Sequence, residues 1–485
     1  MKLKAIVAVC ALAFAGQAFA VGPTPSVAAA SATKLFISGS SALQSTIGQV
    51  ANGLFTTGTM SVFFDGTATA TGAKGTNYRA YAGTFSALAG PTLSGTTGIV
   101  YETGAGGSIV GVVPVAQGTT VARLDLSLDT NCTLQTAADT VTGAPLYSCV
   151  PTVLAVPDAG VSDVEPALFT GLNVPAGTPT VTPAIDAALV KASTLAQPMG
   201  IIVTSNLAAQ GITNLTKAQV TALMSGGTTD WANVDFFAVP AVPAGNVVVC
   251  KRTAGSGTQA AINAAFFGYP CSTSTQAPAA AQGTGLNYTV IENSSSGALA
   301  ACMTAVQQGT VAGYTINIAN GTISTAAADA THIVLPAGGR AIGLMGVDRP
   351  AGTVQNAGIN GYTLAKLPEL YKFVSINGVA PTVLNSALGS YDVVVNNSWN
   401  KRAAVVAGIP VMAGTQLDFF NIMAKKSGDP LILGTSKTPP VVGVAALSDP
   451  VALNYDGLLN ADGTPTNPAM RVAKANTCQP AAQNQ

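Results

Sequence analysis

Val247-Val248-Val249-Cys250-Lys251-Arg252-Thr253-Ala254-Gly255-Ser256-Gly257-Thr258-Gln259 is the stretch from which the fold can be read. A β-branched run ends in a cation, a turn of small and hydroxyl residues follows, and residues 259–267 read as a helix. The turn gathers Arg252, the Ser256 and Thr258 hydroxyls and the backbone N–H groups near Gly257 where that helix begins. First-turn N–H groups lack partners inside the helix and the dipole is positive there, so such a point attracts anions. An ordinary strand–turn–helix joint with a solvated arginine would look the same. The rest of the chain has to decide.

The same grammar recurs upstream. Lys34-Leu35-Phe36-Ile37 reads as a strand that runs into Ser38-Gly39-Ser40-Ser41, and residues 42–54 read as an amphipathic helix. Ile99-Val100-Tyr101-Glu102 reads as a strand leading into Thr103-Gly104-Ala105-Gly106-Gly107-Ser108. Asp158-Ala159-Gly160-Val161-Ser162-Asp163-Val164-Glu165-Pro166 follows, and its acids suit either a ligand contact or a helix start. Beyond it come a buried-type strand at 199–205, a Thr216-capped helix and strands at 340–345, near Phe373 and at 391–395. Helices are read at 297–307 and 415–426. Strands alternating with helices predict an α/β protein with mostly parallel pairing, whose ligand sites lie beyond the carboxyl ends of strands. The Gly/Ser turns fall there.

Composition narrows the classes. Lys plus Arg and Asp plus Glu stand at 21 each, so overall charge implies no polyanionic or nucleic-acid partner. Only 9% of the 485 residues are charged while 48% are hydrophobic, which suits an exported, loop-rich globular protein. Lys2 and Lys4 precede an apolar run, and Ala18-Phe19-Ala20 supplies a small-x-small cleavage pattern. Residues 1–20 are therefore expected to be a signal peptide cleaved near Ala20, with a Pro/Ala/Ser linker at 21–33 and a periplasmic or secreted mature chain.

The cysteines beyond the signal are Cys132, Cys149, Cys250, Cys271, Cys302 and Cys478, an even set that suggests disulfides in an exported chain. Local pairing favours Cys132 with Cys149 and Cys250 with Cys271, which leaves Cys302 with Cys478. The first pair would close an irregular surface excursion at about 122–157. No CxxC occurs and His332 is the sole histidine, so neither a metal site nor a cofactor is expected. His332 sits between Thr331 and Ile333-Val334 with no Gly-x-Ser-x-Gly elbow in the chain, so hydrolase chemistry is not expected either.

At these residues the chain resembles the periplasmic phosphate-binding proteins of bacterial phosphate ABC transporters. The resemblance runs in order from about Leu35 to Lys426. Arg252-x-x-Gly255-Ser256-Gly257-Thr258 is similar to that family's Arg-x-Asp-Gly-Ser-Gly-Thr loop, its most specific motif. Ser38-Gly39-Ser40-Ser41-Ala42, Gly104-Ala105-Gly106-Gly107-Ser108 and Asp158-x-Gly160-x-Ser162-Asp163 resemble its other ligand turns. The resemblance implies a two-lobed type II periplasmic binding protein fold with a hinge and an inter-lobe cleft. It implies a first lobe from 34–204, a second from 205–388 and a return to the first over 389–485. It also implies a phosphate site made of Ser41, Ala42, Gly107, Ser108, Asp163, Arg252, Ser256, Gly257 and Thr258, and a monomer that delivers phosphate to an ABC permease. Two departures stand out. Ala254 replaces the acid that holds the guanidinium in the family, and the connection from Ser108 to Asp158 is much longer.

The chemistry is consistent with that set. Arginine can offer a bidentate, charge-assisted pair, and the hydroxyls and N–H groups can complete a donor shell. Asp163 can only accept when ionised, so it asks the ligand to bring a proton, as phosphate does near neutral pH and sulfate does not. The alternative function is a secreted or surface-associated protein that keeps the fold without a transport role.

Overall fold

The computed structural model describes residues 22–66, 77–139, 142–234, 244–273, 276–283, 288–347 and 371–428, with 445–446, 472–473, 477–478 and 482–483 from the tail. The expected signal peptide at 1–20 lies outside the described residues. Among those that are described, no helix is long and apolar enough to cross a membrane.

The first described element is α1 (Pro25–Ala29), where a loose linker was expected. Pro25 occupies the first turn, where its missing N–H has no role, and Ala28 is buried with Phe36, Phe63 and Tyr101. Packing overrides the linker-like composition. Then follow β1 (Thr33–Gly39), α2 (Gln44–Leu54), β2 (Ser61–Asp65), β3 (Tyr78–Thr84), β4 (Thr97–Thr103), β5 (Cys132–Leu134), β6 (Leu146–Cys149), β7 (Ala159–Ser162) and β8 (Leu189–Ala192). The second leg holds β9 (Leu195–Thr204), α3 (Lys217–Ser225), β10 (Val247–Arg252), α4 (Gly257–Phe267), β11 (Tyr288–Asn293), α5 (Ser296–Gln308), β12 (Arg340–Gly346), β13 (Tyr371–Phe373) and β14 (Val394–Asn396). The chain then supplies β15 (Ser398–Arg402), α6 (Gly414–Ser427) and β16 (Ala445–Ala446).

These strands form two large sheets. The first has nine strands in the order β8-β15-β7-β1-β4-β3-β2-β6-β5. The second has seven, in the order β11-β10-β12-β9-β13, with β14 and β16 also paired to β9. The chain enters the second sheet at Leu195 and rejoins the first at Ser398. Each sheet carries its own helices, so the architecture is the expected two-lobed α/β arrangement.

Pairing is mixed rather than mostly parallel. The strands β7-β1-β4 and β11-β10-β12 run parallel within their sheets. Around them β3 is antiparallel to both β2 and β4, and β9 is antiparallel to β12, β13 and β14. The connection between β3 and β4 holds only a single 3-10 turn at Ala87–Ala89, where a parallel crossover would usually need a full helix, so the chain returns antiparallel.

Periodicity explains the packing. Leu35 and Ile37 of β1 face α2 and α6, meeting Ile47, Val50, Phe419 and Met423, while Phe36 turns to the opposite face with Phe63 and Tyr101. Phe85 anchors the first cluster, its ring centroid 5.1 Å from Phe55 and 4.8 Å from Phe419 in an edge-on contact. In the second lobe Val247 and Val249 of β10 are buried with Ile262 of α4 and Leu299 of α5. The Thr216 cap predicted from sequence forms a full capping box with Gln219 at the start of α3.

The excursion at 122–157 is more ordered than its sequence suggests. Residues 121–124 pair with 152–155, and β5 and β6 extend the edge of the first sheet. Cys132 and Cys149 face each other across that hairpin and form the expected disulfide.

The other two pairings differ from expectation: Cys250 bonds Cys302, and Cys271 bonds Cys478. Cys250 lies on β10 and Cys302 on α5, both fully buried where helix packs on sheet. The eleven residues of α4 carry the chain about 16 Å before it reaches Cys271. Cys271 therefore meets the tail, where Thr477 also donates from its N–H and hydroxyl to the Glu165 carboxylate, each at 2.6 Å. Peptide mapping of unreduced protein is expected to recover Cys250 joined to Cys302 and Cys271 joined to Cys478. Recovery of a Cys250–Cys271 peptide would contradict this connectivity.

Candidate functional site

The predicted turns meet where the two sheets point at each other. Ser40-Ser41-Ala42 follows the carboxyl end of β1, the 104–108 turn follows β4, and Asp163 follows β7. Those three strands are neighbours, so their exits are neighbours too. From the second sheet, Arg252 ends β10 and Gly255 to Thr258 lead into α4, while Ser294 to Ser296 link β11 to α5. This is the usual ligand position of open α/β sheets.

Contacts tie the two sets together. The Thr258 hydroxyl donates to Asp163 Oδ2 at 3.1 Å, and the Ser40 hydroxyl donates to Asp163 Oδ1. The Asp163 N–H donates to Ser108 Oγ at 3.2 Å. The Ile109 N–H donates to the Gly255 carbonyl at 3.0 Å, joining the second Gly/Ser turn to the arginine loop. Two glycines permit this approach. A Cβ on Gly107, whose φ is +77°, would lie 2.8 Å from the Gly255 carbonyl oxygen, and one on Gly257 would lie 2.6 Å from Ser108 Oγ and 2.7 Å from Asp163 Cβ.

Ser41, Ser108, Asp163, Arg252, Ser256 and Thr258 are all buried here. Ser41 lies against Gly104, where a Cβ on that glycine would be 3.2 Å from Ser41 Cα. The Ala42 N–H donates to Ser40 Oγ at 3.1 Å, and Ser256 is the cap of α4, accepting from the Gln259 N–H at 3.3 Å. The expected residues are thus brought into one place, but Ser40 rather than Ser41 bonds Asp163.

Neutral acceptors hold three of the Arg252 guanidinium nitrogens. Nε donates to the Asn293 carbonyl at 3.1 Å, Nη2 to the Ser294 carbonyl at 3.1 Å and Nη1 to Ser296 Oγ at 3.0 Å. Its own N–H donates to Gln259 Oε1 at 3.0 Å. Gln259 continues into a buried relay, with Nε2 to Asn263 Oδ1 at 2.9 Å and Asn263 Nδ2 to Asn173 Oδ1 at 2.7 Å. Sequence reading missed Ser40, Ser296 and this relay. A Ser-Ser-Ser run before a helix signals a cap, and Ser295 is indeed the cap of α5.

Burial pushes the Asp163 carboxyl above its ordinary value. The Ser40 bond, the Arg252 charge and contributions from Thr258 and Ser108 work against that rise. A buried cation, a buried carboxyl and converging hydroxyls can grip a small polar anion and a proton on it. His332, by contrast, bonds Asp329 and Asn317 in a small separate sheet of residues 315–317, 323–324 and 332–333. Among the described residues no cluster of His, Cys, Asp and Glu could hold a metal ion.

No protein-family model matches the chain, and no curated protein matches it in sequence. Among solved structures it is similar to a protein from Clostridium perfringens assigned as a phosphate ABC transporter substrate-binding protein, with phosphate bound. That match has 13% identity, 83% of this chain and 96% of that one, and a TM-score of 0.41. It is similar to PstS from Borrelia burgdorferi, at 10% identity, 82% and 96% coverage and a TM-score of 0.34. A third is an ABC-type phosphate transport receptor from Vibrio cholerae, at 14% identity, 57% and 78% coverage and a TM-score of 0.31. Likeness at these levels carries no function across, so the residues of the site have to speak for themselves.

Proposed function

We propose that this chain is an exported solute-binding protein that holds phosphate, or a similarly protonated oxyanion, between its two lobes. One observation carries the reading. Ser40, Ser108 and Asp163, at the carboxyl ends of strands in one sheet, meet Gly257 and Thr258 at the start of a helix from the other, where the Arg252 charge at the end of β10 acts on Asp163. A ligand touching both sets links the lobes, and opening and closing about the crossings near Leu195 and Ser398 would admit and release it. Delivery to an ABC permease follows as the role of such a carrier.

This reading gives the expected site residues the following parts. Arg252 pairs with the anion, Ser41, Ser108, Ser256 and Thr258 offer hydroxyls, and N–H groups near Ala42, Gly107 and Gly257 complete the shell. Asp163 accepts the ligand's proton. A fully ionised tetrahedral anion would place an uncompensated like charge against it, which disfavours sulfate.

Calorimetry on the mature chain near pH 7 tests this directly. Phosphate should release heat of binding and sulfate should not. No binding of phosphate, or equal affinity for both anions, would overturn the reading. Asp163→Asn is expected to narrow the phosphate-to-sulfate affinity ratio by about tenfold or more, since an amide can donate to an unprotonated oxygen. An unchanged ratio in that variant would remove Asp163 from ligand selection.

A further inference from the structure

Three nitrogens of the arginine's guanidinium are held by a single short segment. Asn293, Ser294 and Ser296 lie in the turn between β11 and α5, and together they accept from Nε, Nη2 and Nη1 of Arg252. A guanidinium held at three of its nitrogens has its plane set, so the direction in which its charge is presented is set as well. All three acceptors are neutral. They orient the cation without cancelling its charge.

The turn is built to stay in place. Asn293 is fully buried, and its Nδ2 donates to the Lys251 carbonyl at 2.9 Å and the Ile291 carbonyl at 3.0 Å. The Thr253 N–H donates to the Asn293 carbonyl at 3.1 Å, and the Ser294 N–H to the Asn320 carbonyl at 3.2 Å. Cys302 on α5 is bonded to Cys250, two residues before Arg252 in β10, so the helix that follows the turn is covalently braced to the strand that carries the arginine. Lys251 and Glu292 pair with each other at 2.8 Å, which gives the neighbouring charges a partner of their own.

Ser296 is the informative member because capping does not account for it. Ser295 caps α5 by accepting from the Ala298 N–H at 3.1 Å, while the Ser296 hydroxyl accepts from Arg252. Ser296 is itself buried. We infer that Ser296 is a positioning residue for Arg252, fixing through a neutral hydroxyl the direction in which the guanidinium is presented. The inference rests on the proposed anion site.

A pair of variants of matched shape isolates the hydroxyl. Ser296→Thr keeps it and Ser296→Val removes it, with nearly equal side-chain volume. Ser296→Val is expected to weaken phosphate affinity about tenfold relative to Ser296→Thr, with both ligand-free proteins folded by circular dichroism. In an Arg252→Ala background the Val and Thr variants should bind alike, because the hydroxyl acts through the arginine. Equal phosphate affinity of the Val and Thr variants, with Arg252→Ala still weakening binding by about 100-fold or more, would overturn the role of Ser296 and leave the site standing. A Val-to-Thr difference that persists without Arg252 would mean a structural role and also overturn it. Unchanged phosphate affinity in Arg252→Ala alone would instead overturn the anion site.

Discussion

Arg252→Ala is expected to lower phosphate affinity by about 10²–10⁴-fold while leaving the chain folded. The arginine would contribute two charge-assisted hydrogen bonds to a dianion, each worth about 1.5–3 kcal/mol, and a factor of ten corresponds to about 1.4 kcal/mol. The buried Asp163 carboxyl magnifies the loss. Its pKa is raised by burial and drawn back in part by the Arg252 charge. Without that charge an ionised Asp163 would repel an incoming anion with no compensating cation. Arg252→Lys should fall between, since an ammonium keeps the charge but cannot match the three-point hold from Asn293, Ser294 and Ser296. Titration calorimetry of the two variants, with circular dichroism to establish folding, measures the effect. Affinity within about threefold of the parent in Arg252→Ala would exclude this residue from the ligand shell.

Glu102→Gln is expected to stabilise the ligand-free protein by on the order of 4 kcal/mol at pH 9, and by far less at pH 5. Glu102 sits on β4 between Ile37 of β1 and Arg79 of β3, and it is 1% exposed. Burial pushes its carboxyl up to about 8, against the opposing Arg79 charge and the Gln44 side chain on α2. The folded chain therefore holds a proton there that the unfolded chain releases near the ordinary value of 4.5. Between those values the folded state binds more protons, so stability falls as pH rises from about 4.5 to about 8 and then levels. Gln cannot titrate, so the variant should lack this slope. Urea unfolding at pH 5, 7 and 9 with disulfides intact measures it. A stability difference that stays constant over that range would contradict the buried proton. The location matters to function, because Glu102 lies just ahead of the 104–108 turn and beside the start of α2.

Much of the fold and of the site was legible in the amino-acid sequence. Continuous apolar runs such as Leu35 to Ile37 and Val247 to Val249 announced strands, and the turns after them announced helix starts, because strand propensity and turn chemistry act over a few residues. The resemblance named the proposed site's members, and sequence reading placed its turns at strand exits, which gather at one end of a parallel sheet. Local rules failed where distant segments decide. The Pro/Ala/Ser segment at 21–33 reads as a linker until a sheet face is present to bury Ala28. The 122–157 excursion reads as irregular because its pairings, of β6 with β2 and of residues 121–124 with 152–155, join segments distant in the chain. Ser40 and Ser41 are indistinguishable in sequence, since in a turn the backbone path and not alternation sets which hydroxyl faces Asp163.

The chemistry and spacing of neighbouring residues pointed to an α/β chain with anion-attracting turns at its strand exits and an arginine loop, and the family resemblance added Asp163 as an acid suited to a protonated ligand. Tertiary packing alone selected which cysteines bond, which serine reaches Asp163 and what holds Arg252 in the absence of an acid at Ala254. The disulfide partner of Cys250 and the guanidinium acceptors of Arg252 lie 41 to 52 residues away in sequence, and the partner of Cys271 lies 207 away. Contacts at such separations are chosen by sheet order and by the packing of helices on sheets, which no short stretch of the chain contains. Around Val247 to Gln259 the local and the distant meet: the turn makes the cup, and the β11–α5 turn aims its arginine.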